Sequence, residues 1–196
     1  TVNLIDPVAD VWNNSATPSF TFNFTDAFSQ NSSCTLYLNG TTYGTNATVQ
    51  NSTNTIMIAN HSVANGTYAW QVNCTDLGAN LGASATRTIN ADTTPPTITS
   101  FGCSNIEVGH SQSCTCSATD VGSVSTSITS ASTATAGTRT VYCTATDAAA
   151  NTATSTATYV VSEAVGGGGA GGSGGGISTG VKGEFEKKIW ASIKSG

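Results

Sequence analysis

The most legible chemistry in this chain lies in six cysteines: Cys34, Cys74, Cys103, Cys114, Cys116 and Cys143. An even count suits disulfide bonding and leaves fifteen complete pairings open. Cys114-Thr115-Cys116 has a C-x-C spacing that can also hold zinc. A structural zinc site draws on a second Cys or His cluster. None follows here, because His61 and His110 stand alone. The cysteines therefore read as disulfides made in an oxidising compartment.

Asparagine supplies a second chemistry. Asn-x-Ser/Thr sequons begin at Asn13, Asn23, Asn31, Asn39, Asn46, Asn51, Asn60, Asn65 and Asn73, all in the first half. Chance in an Asn- and Thr-rich segment gives on the order of three or four. A glycan needs an exposed asparagine. Strand alternation turns Asn23 and Asn73 away from the phenylalanines and Cys74 beside them. N-linked glycans are the expected partners of this half.

Aspartates could hold calcium, a hard cation that takes several oxygen ligands. Asp92 lies in a proline-rich link and Asp120 follows a strand, so these two are the candidate metal ligands. The preferred reading is plainer: Asp76, Asp120 and Asp147 end strands and make Asx-turns. On that reading chelation leaves the melting temperature unchanged, no cofactor is required, and calcium is the one ion the pattern admits. A hydrolase needs a nucleophile, a base and an orienting group within reach. His61 sits inside a sequon and His110 follows Gly109, and neither stands near a Gly-x-Ser-x-Gly elbow. The Gly run is not preceded by a strand feeding a helix, so it is no phosphate loop. The chain reads as non-enzymatic.

Composition narrows the class further. The chain has 196 residues, only 9% of them charged, and a net charge of -5. Ordinary globular proteins carry about 25% charged residues. Nucleic-acid binding needs clustered Lys and Arg, whereas only Arg87 and Arg139 precede residue 166. No run of about 18 apolar residues offers a membrane span. No charged-then-apolar leader opens the chain, so Thr1 reads as a processed or cloned start.

These residues must be positioned by short strands. Phe20–Phe24, Cys34–Leu38, Thr55–Ala59, Tyr68–Cys74 and Ser84–Ile89 alternate apolar with polar residues, and Asn39-Gly40 supplies a hairpin turn. Trp70 shares a face with Val72 and Cys74 and is a core residue, while Trp12 and Trp190 lie outside clear strands. Asp92-Thr93-Thr94-Pro95-Pro96 then interrupts the pattern. Strands resume over Thr97–Cys103, Gln112–Thr119, Thr138–Thr146 and Ala153–Val161, with a weak Ser/Thr/Ala stretch over Ser123–Ala136. Val72-Asn73-Cys74-Thr75-Asp76 with Asn80 is echoed by Val141-Tyr142-Cys143 with Asp147 and Asn151. In both hairpins Asn follows Asp by four residues. The organisation expected is one sandwich over residues 1–92, a second over 93–163, a Gly-rich linker over 164–177 and a partial segment over 178–196. In the last, Phe185, Ile189, Trp190 and Ile193 fit one face of a short helix.

The short strands, the two hairpins and the Asp-Thr-Thr-Pro-Pro link resemble tandem immunoglobulin-like domains of archaeal and bacterial cell-surface proteins. The resemblance spans residues 2–162. Lys188 to Ile193 is faintly similar to the region before the membrane anchor of archaeal surface proteins, which implies a fragment of something longer. The resemblance implies an all-β fold of two immunoglobulin-like sandwiches in series. It implies an extracellular structural role, as subunit or stalk of a glycosylated surface layer or filament that self-assembles or joins other surface proteins. The competing role is an adhesin gripping a glycan or protein, which exposed aromatic residues in the loops would favour.

Disulfide pairing follows from parity and faces. Cys34 and Cys74 are alone in the first unit, so they pair. Cys114 and Cys116 share a face and do not bond each other across an extended strand. Cys103 turns back toward Cys114, leaving Cys116 for Cys143 as an immunoglobulin-type link between sheets. The expected set is Cys34–Cys74, Cys103–Cys114 and Cys116–Cys143. Glycopeptide mass spectrometry of native material checks the asymmetry of the sequons: sugars are expected at sites up to Asn73 and none beyond.

Overall fold

The structure is a computed structural model and describes residues 1–164. The expected helix at Phe185, Ile189, Trp190 and Ile193, and nearly all of the Gly-rich linker, lie outside the described residues. Residues 1–163 form one compact unit built only of strands, turns and loops. Among the described residues no helix is long and apolar enough to cross a membrane.

Two sheets enclose the first core. Strands β1 (Val2–Asp6), β3 (Ser19–Phe24) and β6 (Thr55–Ile58) form an antiparallel sheet in that order. The facing sheet runs β2 (Val11–Asn13), β9 (Arg87–Ala91), β7 (Gly66–Asp76), β4 (Asn31–Leu38) and β5 (Thr41–Gln50), with β8 (Leu81–Ala83) also on β7. Strand β2 pairs parallel to β9; the other ladders are antiparallel. Alternation puts Phe20, Phe22 and Phe24 inside opposite Leu36, Leu38, Trp70, Val72 and Ile89. Phe20 and Trp70 meet with ring centroids 4.9 Å apart.

The second sandwich repeats the plan with fewer strands. Strands β10 (Thr97–Cys103) and β12 (Cys114–Thr119) form one sheet. The other runs β11 (Ile106–Glu107), β15 (Thr152–Ser162), β14 (Gly137–Thr146) and β13 (Ser125–Ile128), with β11 parallel to β15. The two halves share an immunoglobulin-like order of strands. Their cores differ in bulk. In the second, Val141, Tyr159 and Val161 form the fully buried apolar cluster, where the first has Trp70 and three phenylalanines.

Several elements depart from the sequence reading. Strands β1 and β2 escape it because they are short or interrupted by Pro7. Strand β5 escapes it because it is mostly polar and half exposed. The segment read as Ser84–Ile89 becomes a strand only from Arg87, as β9, and the short β8 precedes it. The Ser/Thr/Ala stretch yields only β13. Beyond it the chain is held by side chains instead of a ladder. Gln112 donates to Thr129 O and accepts from Ala131 N, and Arg139 donates to Ser132 O and Thr135 O.

The structure bonds Cys34 to Cys74, Cys103 to Cys114 and Cys116 to Cys143. The first two bridges join directly opposed residues on neighbouring strands, with Cα atoms 4.0 Å apart. Only Cys116–Cys143 ties one sheet to the other, with Cα atoms 6.4 Å apart. Cys74 and Cys143, paired in the sequence echo, are not equivalents. Cys74 lies two residues before Asp76, whereas Cys143 lies four before Asp147. With the hairpins in phase, Val72 matches Cys143. In the first sandwich that place is filled by apolar packing.

A bridge matters most where the core is thin. Replacing Cys116 and Cys143 together by Ala is expected to cost about 2–4 kcal/mol and to unfold the second sandwich ahead of the first. Removing Cys34 and Cys74 is expected to leave a cooperative first sandwich. Urea unfolding of both double variants distinguishes these outcomes.

Candidate metal centre

Asp92 is placed by the end of β9. Its N–H donates to Asn13 O at 2.9 Å, extending the parallel β2–β9 ladder by one bond. The side chain turns inward and is only 2% exposed. Its Oδ1 accepts from Asn65 Nδ2 at 2.9 Å and from Thr94 N at 3.0 Å. Asn65 also donates to Thr94 Oγ1 at 2.7 Å and accepts from Thr93 N at 2.9 Å. One asparagine thus clamps the link where it leaves the first sandwich.

The second sandwich meets that point with two of its loops. In the β14–β15 hairpin, Asp147 N donates to Asn151 O and Ala150 N to Asp147 O. Ala150 takes a left-handed φ of 67° to close the turn. Asp147 Oδ1 accepts from Asn151 N, and Oδ2 from Asn151 Nδ2, both at 2.9 Å. The same Nδ2 reaches Asp92 O at 2.8 Å. Asp120, just past β12, accepts from Val121 N at 2.6 Å. Next to it, a Cβ on Gly122 would stand 3.1 Å from Trp12 Cζ2 and 3.0 Å from Ala148 Cβ, so any larger residue here would crowd this approach. Trp12 and Val121 help line an adjacent cavity of about 130 Å³.

Asp92, Asp120 and Asp147 each bring one carboxylate oxygen within 4.8 Å of the other two. The turn reading explains Asp147, whose oxygens both accept from Asn151. It does not explain the other two: Asp92 Oδ2 and Asp120 Oδ2 are buried without a hydrogen-bond partner. A buried unpaired carboxylate oxygen is costly. Neither arginine offsets it, since Arg87 donates to the carbonyls of Leu4, Ile5 and Pro7 and Arg139 to those of its own loop. The set is all-oxygen and anionic, which is the donor chemistry of a hard divalent cation. In the sequence Asp147 reads as a turn former, and its Asp-x-x-x-Asn spacing, shared with Asp76, does not set it apart.

The same hairpin recurs at the far end of the first sandwich. Asp76 accepts from Asn80 N at 2.8 Å and Asn80 Nδ2 at 3.0 Å, and Ala79 has a φ of 65°. These Asn80 bonds hold the Asp76 carboxyl below its ordinary value of 3.8. The amides of Phe28 and Ser29 do the same for Asp26. The stabilisation they give is present above the ordinary carboxylate value and is lost as pH falls through the lowered folded-state values.

The sequon asparagines differ in what their amides do. Asn39, Asn60 and Asn65 are exposed; Asn13, Asn23, Asn31, Asn46, Asn51 and Asn73 are half-buried. Asn51 Nδ2 donates to Asp26 O and Ser29 O at 2.6 and 2.9 Å, and Asn65 Nδ2 is doubly engaged as above. A sugar on either of these two displaces a structural bond. His61 stacks on Tyr43 at 4.1 Å between ring centroids.

No family model and no curated protein matches the chain. Among solved structures it is similar to fibronectin(III)-like modules of Clostridium thermocellum CbhA, at 14% identity and a TM-score of 0.45, over 83% of this chain and 95% of that one. It is also similar to extracellular domains 3–5 of Drosophila OTK, at 10% identity and a TM-score of 0.35, over 83% of this chain and 66% of that one. The immunoglobulin-like assignment rests on the strand order itself.

Asn65→Ala is expected to destabilise the chain by about 1–3 kcal/mol, because it strips one partner from a buried carboxylate and unpins the link. Asn46→Ala removes another sequon, but its side chain accepts a single bond, from Thr48 N, and is expected to cost far less. Denaturant unfolding of both variants, made without glycans, gives the comparison.

Proposed function

We propose that this chain is a non-catalytic structural segment of an extracellular assembly, a stiff two-sandwich strut in a glycosylated surface layer, stalk or filament. The joint is the observation that carries this reading. Asn151 bonds the main chain of Asp92, Asn65 clamps Thr93 and Thr94, and Gly122 lets Trp12 sit against the second sandwich. A linker tied down in this way transmits orientation instead of allowing each sandwich to swing. Three disulfides suit an oxidising compartment outside the cytoplasm. With 9% charged residues, N-linked glycans on the exposed sequons supply much of the hydration that Lys and Glu give other surfaces.

The adhesin reading draws on one feature. Phe28 and Leu77 are 97% and 93% exposed in loops of the first sandwich, at the end away from Asp92. Electron microscopy of native material separates the two roles. Filaments, sheets or stalks built from this chain are the expected result. Dispersed particles that bind glycans or another cell's proteins, and lose that binding on Phe28→Ser, overturn the structural reading.

A further inference from the structure

The three aspartates at the joint are a calcium site, we propose, with Asp92 Oδ2 and Asp120 Oδ2 as its principal ligands and Asp147 as the third. Proximity of acids alone does not carry this. The second observation is Asp92 itself: 2% exposed, aimed into the cluster, with Oδ1 satisfied by Asn65 and Thr94 and Oδ2 by nothing. A carboxylate rarely reaches such burial unless paired or coordinating a metal. A second enclosed oxygen without a donor belongs to Asp120, another carboxylate of the same cluster. Carboxylates this close repel one another at low dielectric unless positive charge lies between them.

Oxygen-only donors select a hard cation, and calcium is the one that accepts irregular carboxylate geometry. The ligands come from both sandwiches: Asp92 closes the first, and Asp120 and Asp147 belong to the second. Binding there ties the sandwiches through the ion, in addition to the Asn151–Asp92 bond. An internal comparison supports the assignment. The Asp76–Asn80 hairpin has the same turn and the same bonds as Asp147–Asn151, but among the described residues it belongs to no group of three acids, so the hairpin alone does not make the cluster found at the joint.

The test uses the full chain stripped with EDTA, then titrated with calcium by calorimetry and by thermal unfolding. One calcium per joint is expected, with a melting temperature that rises with calcium. At calcium one hundred times its Kd, the folding equilibrium constant is expected to rise about 100-fold. Asp92→Asn and Asp120→Asn are each expected to abolish the calcium response. In EDTA both are expected to melt at or above the parent, because an amide removes one charge and donates to its neighbours. Asp76→Asn is expected to keep the full response. The assignment is overturned if the stripped chain takes up no calcium, if the response survives Asp92→Asn, or if magnesium gives the larger shift. A chain that binds calcium yet forms no assembly upholds the site and defeats only the structural role.

Discussion

Everything between the two sandwiches turns on the burial of one carboxylate. Asp92 stands where the first sandwich ends, and its main chain belongs to the β2–β9 ladder of that sandwich. Its side chain points away from water toward the loops of the next sandwich. Each group around it answers that one constraint. Asn65 and Thr94 cover one oxygen, Asn151 covers the carbonyl, and Asp120 and Asp147 each bring a carboxylate oxygen within 4.8 Å of the Asp92 carboxylate. The link can be short because its polar groups are paired locally, and the second sandwich is oriented by the same bonds that pair them.

The two halves solve the stability problem differently with one strand order. The first packs Trp70 and three phenylalanines between its sheets, and its single bridge lies within a sheet. In the second, alanine, serine and threonine occupy most positions of the long β15 strand, so little apolar volume faces inward. There a covalent bond between the sheets, Cys116–Cys143, stands where the first half has apolar side chains. Cysteine enters as a substitute for bulk.

Much of this was legible beforehand. Phe20–Phe24 and Tyr68–Cys74 declare their strands because aromatic and β-branched residues alternate strictly with polar ones, and face parity together with a hairpin from Cys103 back to Cys114 was enough to pair Cys116 with Cys143. Polar β5 carried no such signal, since its outer face is solvated and its inner face contributes few side chains. The joint was harder. Asp92 and Asp120 were visible as candidates, but an Asp after a strand looks the same whether it closes a turn or points inward. What distinguishes them is burial of a particular oxygen, and that depends on residues far apart in sequence. Asp147 shows the limit: its turn role is real, and only the position of Asp92 gives it a second one. Asn51 and Asn65 show the same for sequons, where the motif records the residue and the fold decides what its nitrogen does.

The direction of the edge strands has a mechanical corollary. In each sandwich a strand near the start pairs parallel with the last strand, β2 with β9 and β11 with β15. Tension applied between the two ends of such a sandwich slides these partners along each other, so the ladder bonds are loaded together in shear and do not open one at a time like a zipper. Cys103–Cys114 and Cys116–Cys143 fasten β10 and β14 to β12, so the extension available before a covalent stop is reached shrinks in the half with the weaker core. Cys34–Cys74, closing 40 residues, limits travel in the first half as well, so covalent stops act along the whole length and close packing adds its resistance mainly in the first half.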